Sequence, residues 1–426
     1  MSPSVASAVE TRRARVVRQL HAWSAVTRRG ERPPHTPLSL TMIAIVALLV
    51  VLGLLMVLST SSVLGLEEGG SAWSGFQRQL MWAGIGVVAF VITSRVHYRR
   101  WRTWMPLVVI VAWIALLAVL MPSIGSRRDG ARRWIEFGSF GFQPSELAKL
   151  AMLCYAATLL DRRVRYLHDW RAVLAPVMGM VVVLGTLVML EPDLDTAIEI
   201  TLIAFTILFV GGVRFRHVGV MALAGAAAAG AFVLMYPWRL KRLLAFLNPT
   251  EDLSGAGYQT HQSIIHIATG GISGVGPGEG RAKWSGGLPA VHTDFIFSAI
   301  GEELGLLGAL VVLGLFVGFA MVGFRVAIRM GPRDRFGMLL AAGATSWTCF
   351  QAVINTAMAT GMLPVTGTPL PFISVGGSSL VSFMIAAGIL VNVARHCEPL
   401  PIPRSTAHPA VRAGTPRATR PRPALS

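Results

Sequence analysis

The chain is short of charge, of cysteine and of acid. Asp, Glu, Lys and Arg make up only 14% of its 426 residues, too little to coat a water-soluble fold of that length. Hydrophobic residues make up 53%, with a mean hydropathy of +0.60, which excludes an ordinary soluble domain. The 3 cysteines, Cys154, Cys349 and Cys397, lie far apart, and the first two sit inside apolar runs. Neither a disulfide framework nor a CxxC metal site is encoded. His261, His266 and His292 lack the spacing of a local zinc site. Behind Arg12, Arg13, Arg15 and Arg18 there is no short apolar core with a small-residue cleavage site, so the start reads as a cytosolic tail and not as a secretory signal.

What is abundant is apolar length. A helix crosses the hydrocarbon core with about 20 predominantly apolar residues. Candidate stretches fall at 38–58, 80–93, 104–121, 147–160, 172–190, 196–213, 218–236, 304–324, 338–358 and 375–393. The expected fold is all-α, a polytopic integral membrane protein of about ten transmembrane helices, with a long extracytoplasmic loop between helices 7 and 8. A membrane domain at 38–396 is flanked by disordered basic tails at 1–37 and 397–426. Lys and Arg favour cytoplasmic loops, and alternate connections carry Arg95 to Arg102, Arg162 to Arg171, Arg214 and Arg216, and Arg325 to Arg335. Both termini are therefore expected in the cytosol. The net charge of +17 follows mostly from this topology and from tails beside anionic membrane lipid; no nucleic acid partner is expected.

Two outer segments break the charge rule. One, "SRRDGARRWIEFGSFGFQPSELAKL" (126–150), keeps Arg127, Arg128, Arg132 and Arg133 on the outer side; the other (237–303) holds Arg239, Lys241, Arg242, Arg281 and Lys283. An anionic ligand would give such cations a purpose, although long loops also escape the rule. In "QPSELAK", Pro144 suits the first helical position and Glu146 the positive end of the dipole. Glu146 and Lys149, at i and i+3, can simply pair with each other. Tyr258 to Ala268 mixes Ile with Gln and His, as in an interfacial amphipathic helix. The glycines from Gly270 to Gly287 allow tight turns and close backbone approach. The GxGxG at Gly276 to Gly280 has no strand around it, so a nucleotide site is rejected.

The stretches "ARRWIEFGSFGFQPSELAK", "EPDLDTA", "GYQTHQS", "LPAVHTDFIFSAIGEELG" and "LPVTGTPLPFISVGGSS", in this order, resemble the SEDS family of bacterial cell-wall proteins. "MVLSTSSV", "AFLNP" and "TGMLPVTGTPLPFIS" are more similar to its cell-division (FtsW-like) branch. The resemblance covers Leu38 to Arg395. It implies a ten-helix peptidoglycan glycosyltransferase polymerising lipid II at the outer face of the cytoplasmic membrane, at the division site, with a class B penicillin-binding protein transpeptidase and other divisome proteins. It also implies that the aspartate of "HTDFIF", here Asp294, is essential, and that Trp134, Glu146 and Lys149 are motif residues. The chain departs from the family pattern where "EPDLDT" replaces "QPDLGT", adding Glu191 and Asp195. Further departures are Ala290 for a glutamate, Val375 in "SVGGSS", "HIATGG" for "AIGSGG", and Glu279 in "GPGEG".

Given a lipid-linked pyrophosphoryl sugar, Arg132, Arg133 and Lys149 are candidates to hold the leaving phosphates. Asp294 is the candidate general base. With Thr293, Asp294 can also cap the helix that starts near Phe295, and the residues alone leave base and cap open. Trp134 stacks on a sugar or anchors at the interface. Glu302 and Glu303 line the same cavity or bind lysine across it. Ser378 and Ser379 offer hydrogen bonds at a glycine-rich outer turn. No cofactor is implied, and a divalent cation on the pyrophosphate is left open. A lipid II flippase, with a polar path through Glu199, Gln351 and Asn355, and a non-catalytic scaffold for the transpeptidase are the alternatives.

Overall fold

The computed structural model describes residues 34–67, 71–128, 131–138, 140–247, 257–284 and 287–397. The tails expected at 1–37 and 397–426 lie outside the described residues except at their inner edges. Twelve helices form among the described residues. They are α1 (Pro37–Glu67), α2 (Ser74–Arg95), α3 (Arg100–Leu120), α4 (Pro144–Arg162), α5 (Leu174–Leu190), α6 (Leu194–Val210), α7 (Phe215–Met235), α8 (Pro237–Leu247), α9 (Tyr258–Thr269), α10 (Ile296–Met330), α11 (Arg335–Ala359) and α12 (Gly377–Cys397). All ten predicted apolar stretches lie on helices. Seven helices are long and apolar enough to cross a membrane: α1, α2, α3, α7, α10, α11 and α12. α5 is apolar but has 17 residues, and α4 and α6 carry Glu146, Lys149 and Glu199 within their lengths.

The enclosed centre is α4, α11 and α12. α12 lies along α2, α10 along α11, and α4 along α3 and α6. Small residues make this approach possible: a side chain on Gly343 of α11 would run into Leu153 of α4 and Ile207 of α6, as expected where helices associate through close packing and not through expulsion of water. The "GAAAAGA" run lies on α7, whose surface is mostly open.

Three short antiparallel strands, β1 (Gly125–Arg128), β2 (Ala131–Phe137) and β3 (Phe140–Phe142), in the order β1-β2-β3, interrupt the expected all-helical chain between α3 and α4. Side chains alternate along a strand. Buried Ala131 and Ile135 share a face of β2 with Arg133, so Arg132 and Trp134 take the other face.

Between α7 and α10, the predicted long loop contains α8, α9 and a glycine-rich stretch that threads into a break in α10. Gly305, at φ 67 and ψ −165, breaks that helix, a conformation only glycine adopts without strain. The freed backbone groups are satisfied by the threaded loop. Val275 N donates to Glu302 O (3.0 Å), Gly276 N to Glu303 O (3.1 Å), Leu306 N to Gly271 O (2.9 Å) and Leu307 N to Ile272 O (3.2 Å). Such bonding is a condition for irregular backbone at membrane depth. On α9 the buried face is polar, with Thr260, Ser263 and His266, while Ile264 and Ile265 are exposed. Ser263 Oγ donates to Ala359 O (2.5 Å), and His266 Nδ1 lies 3.0 Å from Glu302 Oε1.

The basic connections gather at one end of the bundle, where Asp334 ties two segments together. Its Oδ1 accepts from Phe336 N (3.0 Å) and Gly337 N (3.4 Å), capping α11, and its Oδ2 accepts from Tyr98 OH (3.0 Å) and Arg99 Nε (2.7 Å). Burial raises the Tyr98 phenol above its ordinary pKa, and the Asp334 charge adds to this, so the phenol stays a hydrogen-bond donor. Replacing Asp334 by Ala is expected to destabilise the protein by about 1–2 kcal/mol through the lost cap, read as a lowered melting temperature in detergent. Asp334→Asn, which keeps an acceptor for the cap, should lose clearly less; equal losses would assign the effect to the ion pair.

Candidate active site

Asp294 lies at the end of the bundle opposite Asp334, in the turn that leads into α10. Ala290, at φ 56, turns the chain so that its carbonyl accepts from Thr293 N (3.1 Å), Asp294 N (3.0 Å) and Phe295 N (3.3 Å). A non-glycine residue in this region costs about 1–2 kcal/mol, and such strain persists only where the surroundings enforce it. Here they do. Asn355 Nδ2 of α11 donates to Asp294 O (2.7 Å) and to Thr368 O (2.8 Å), Ser374 Oγ donates to Thr293 O (2.6 Å), and Val375 N donates to His292 O (3.0 Å). The N-cap position falls to Phe295, which makes no side-chain cap bond, so the backbone of Asp294 is anchored while its side chain stays half-buried.

Beside Asp294, the exposed Gly367 brings in a carboxylate that sequence reasoning had noted only as a departure from the family pattern. Gly367 N donates to Asp195 Oδ2 (3.0 Å). A Cβ on Gly367 would lie 3.8 Å from Asp195 Oδ2 and 3.9 Å from Asp294 Oδ2. Three elements therefore converge: the start of α6, the turn before α10 and the loop between α11 and α12.

One helical turn inward lies a second polar layer. Lys149, only 1% exposed, donates to Glu146 Oε1 (2.8 Å), Glu199 Oε2 (2.7 Å) and Gln351 Oε1 (3.2 Å). Its ammonium also lies 5.4 Å from the Trp347 ring centroid and 5.7 Å from that of Phe383, within cation–π range. Gln351 Nε2 reaches on to Pro369 O (2.9 Å). Residues four apart share a helix face, so α6 supplies Asp195 to the outer layer and Glu199 to the inner, and α11 supplies Asn355 and Gln351. The predicted Glu146–Lys149 pair is present. Enclosed on all sides, Lys149 offers no open face to a phosphate; it holds three helices and the 366–370 loop in place.

The two predicted arginines part company. Arg133 Nε donates to Glu191 O (3.1 Å) and its Nη2 to Pro192 O; Arg239 Nη2 of α8 donates to the same Pro192 O (2.6 Å). Arg133 therefore secures the turn between α5 and α6. The side chain of Arg132, on the other face of β2, makes no hydrogen bond or ion pair among the described residues, and the residue is half-buried. Trp134, also half-buried, pairs across the ladder with Ser126, whose Oγ donates to Trp134 O (3.3 Å). Ser378 and Ser379 are buried, and Ser378 Oγ accepts from Gln143 N (3.3 Å) at the entry to α4. The hydrogen bond expected of this turn is thus made by Ser378 within the protein. Glu302 and Glu303 brace the glycine loop: Glu302 accepts from Arg281 N (2.9 Å) and Ala282 N (3.0 Å), and Glu303 from Gly278 N (3.0 Å), Ser59 Oγ (2.5 Å) and Lys283 Nζ (3.1 Å). Lysine binding was one of their two predicted roles.

Glu191, in the turn that Arg133 secures, is fully buried, and neither carboxyl oxygen has a hydrogen-bond partner among the described residues. Burial pushes its pKa up to about 9, and the neighbouring Asp193 adds to this while Arg133 opposes it. At neutral pH it is therefore a neutral acid, close in shape to glutamine.

The FTSW_RODA_SPOVE model, described as a cell cycle protein family, matches residues 39–398. The chain is 38% identical over 357 residues to stage V sporulation protein E of Bacillus subtilis, covering 84% of this chain and 97% of that protein. It is 40% identical over 356 residues to a probable peptidoglycan glycosyltransferase FtsW of Mycobacterium tuberculosis, covering 83% of this chain and 67% of the other. Among solved structures, it resembles a chain from work on the structural coordination of polymerization and crosslinking by a peptidoglycan synthase complex. The TM-score is 0.66 at 28% identity, covering 84% of this chain and 97% of that one. It also resembles the rod shape determining protein RodA of Thermus thermophilus, with a TM-score of 0.60 at 26% identity over 83% of this chain and 95% of that one.

Lys149→Met leaves Glu146 and Glu199 as uncompensated buried acids and is expected to cost about 3–5 kcal/mol. Combining it with Glu146→Gln and Glu199→Gln should recover much of the loss; thermal unfolding in detergent compares the two. For Glu191 the sign follows from its raised folded-state pKa. The unfolded carboxyl ionises first, so stability present below its ordinary pKa of 4.5 is lost as pH rises toward about 9. Glu191→Gln should flatten that part of the stability–pH curve and raise stability at pH 8, whereas an unchanged slope would mean that Glu191 is ionised in the fold.

Proposed function

The chain belongs to the FtsW/RodA/SpoVE family, and from that membership we propose that it is an inverting, lipid II-dependent peptidoglycan glycosyltransferase with Asp294 as its general base. The polytopic membrane fold and the glycosyltransferase activity of FtsW-type relatives set the reaction class. The observation that carries the assignment of the base is the anchoring of Asp294. Its backbone is held by Asn355 and its neighbours by Ser374 and Val375, while its half-buried carboxylate borders the exposed Gly367. A rigid base at an accessible place is what proton abstraction needs.

In the proposed step the acceptor sugar hydroxyl attacks the anomeric carbon of the lipid-linked donor. The carbon–oxygen bond to the pyrophosphate breaks, its electron pair leaves on the phosphate oxygen, and the hydroxyl proton passes to Asp294. One displacement inverts an α-linked donor to a β-linked product, so no covalent intermediate is required. Arg132, with no partner among the described residues, is the cation assigned to the developing phosphate charge. Arg133 supports the neighbouring turn, and Trp134, on the same strand face as Arg132, is assigned to sugar stacking. Glu146, Lys149, Ser378 and Ser379 act from within, by shaping the helix ends around the site.

The proposed setting is the bacterial cytoplasmic membrane at the division site, with both termini in the cytosol. A class B penicillin-binding protein is the proposed partner, in keeping with the peptidoglycan synthase complex that the fold resembles. Glu199, Gln351 and Asn355, the residues a flippase would use as a polar path, are engaged in bonds within the bundle, which favours the enzyme.

The purified chain with its class B penicillin-binding protein is expected to polymerise fluorescent lipid II. Asp294→Asn should lower the rate by about 10²- to 10⁴-fold with the melting temperature retained, and Arg132→Ala should lower kcat more than it changes the apparent KM. Full activity in a folded Asp294→Asn variant would dismiss the base assignment.

A further inference from the structure

We infer that Asp195 is a second acceptor-site carboxylate, orienting the acceptor sugar through the hydroxyl next to the one that Asp294 deprotonates. The inference rests on the proposed role of Asp294 and adds a residue that the family resemblance does not supply, since the matching position in the family pattern is a glycine.

The juxtaposition comes from three elements distant in sequence. Asp195 Oδ2 is held by Gly367 N (3.0 Å), and a Cβ placed on Gly367 would lie 3.8 Å from that oxygen and 3.9 Å from Asp294 Oδ2. The two oxygens are therefore within about 8 Å of each other, a span that two neighbouring hydroxyls of one sugar ring bridge with hydrogen bonds of about 2.7 Å at each end. Gly367 is exposed and carries no side chain, so the space between the carboxylates is open. Both residues are half-buried. The Asn355 amide fixes the carbonyls of Asp294 and Thr368 and so holds the turn before α10 against the loop that carries Gly367.

The arrangement has a chemical consequence. A single carboxylate can take a proton from a hydroxyl but leaves the ring free to turn about that contact. A second acceptor on the adjacent hydroxyl removes the turn and holds the nucleophilic oxygen toward the donor. Asp195 is thus an orienting residue that contacts the substrate, with no proton transferred to it in the reaction.

The test uses the full chain with its class B penicillin-binding protein and two lipid II analogues as acceptors, in which each hydroxyl flanking the nucleophile is removed in turn. The wild type should lose about tenfold in kcat/KM with one analogue, the worth of a hydrogen bond to a charged group. Asp195→Ala should lose about as much with intact lipid II and nothing further with that analogue. Asp195→Asn, which keeps the Gly367 bond, should fall between. Equal penalties for that analogue in wild type and Asp195→Ala would overturn the inference and reduce Asp195 to a brace for the loop. Asp294→Asn is run in parallel: if it stays active, the base reading fails; if it is inactive while Asp195→Asn and Asp195→Ala behave as wild type, only the Asp195 inference fails.

Discussion

The buried ammonium of Lys149 is the interaction on which the rest of the arrangement depends. A charge in the interior of a helical bundle must be met by acceptors, and the protein meets it with Glu146 from the same helix, Glu199 from α6 and Gln351 from α11. Satisfying one cation thereby fixes the rotation of three helices relative to one another. Once α6 and α11 are oriented this way, their residues one turn outward, Asp195 and Asn355, point toward the loop between α11 and α12 and the turn before α10. The geometry around Asp294 is thus set from below by a network enclosed within the bundle. Two carboxylates for one lysine leave an excess acid, and Glu146 Oε2 has no partner among the described residues, so the network carries its specificity at some cost in stability.

The outer end is built from segments that are poor helix formers, and each is tied down by polar contacts that the helices provide. The turn between α5 and α6 hangs from Arg133 and Arg239. The glycine loop enters the break in α10 and is braced by Glu302 and Glu303. The α11–α12 loop is held by Asn355, Gln351 and Asp195. A reacting group carried on loops is only as well placed as its supports, and here each support comes from a different helix. The outer helices expose apolar faces, as expected of a membrane protein.

Much of this was legible in the sequence. Apolar length indicated the helices, Pro144 marked the start of α4, and the i, i+3 spacing of Glu146 and Lys149 announced their pair. The alternation of Ile with Gln and His placed α9. The strands were missed because short, charged, glycine-punctuated stretches carry little periodic signal. Ser378 and Ser379 offered hydrogen bonds by residue type alone; which partner they meet, Gln143 N for Ser378, depends on how closely the glycines let α12 enter. The divergence of Arg132 and Arg133 was implicit in strand alternation, but only once the stretch was known to be a strand.

By itself, then, the chain determined that it is a multi-pass membrane protein, which segments are apolar helices, and which few ionisable residues had to be explained, because apolar length and buried charge are local properties with large energies. Which acid meets which cation was decided by the tertiary structure. Asp195 and Asp294 lie far apart in sequence, and nothing in the spacing of either tells that both approach Gly367. That meeting follows from helix rotation, set by packing and by the bonds of Lys149, and such long-range geometry has no signature in a single chain read in order.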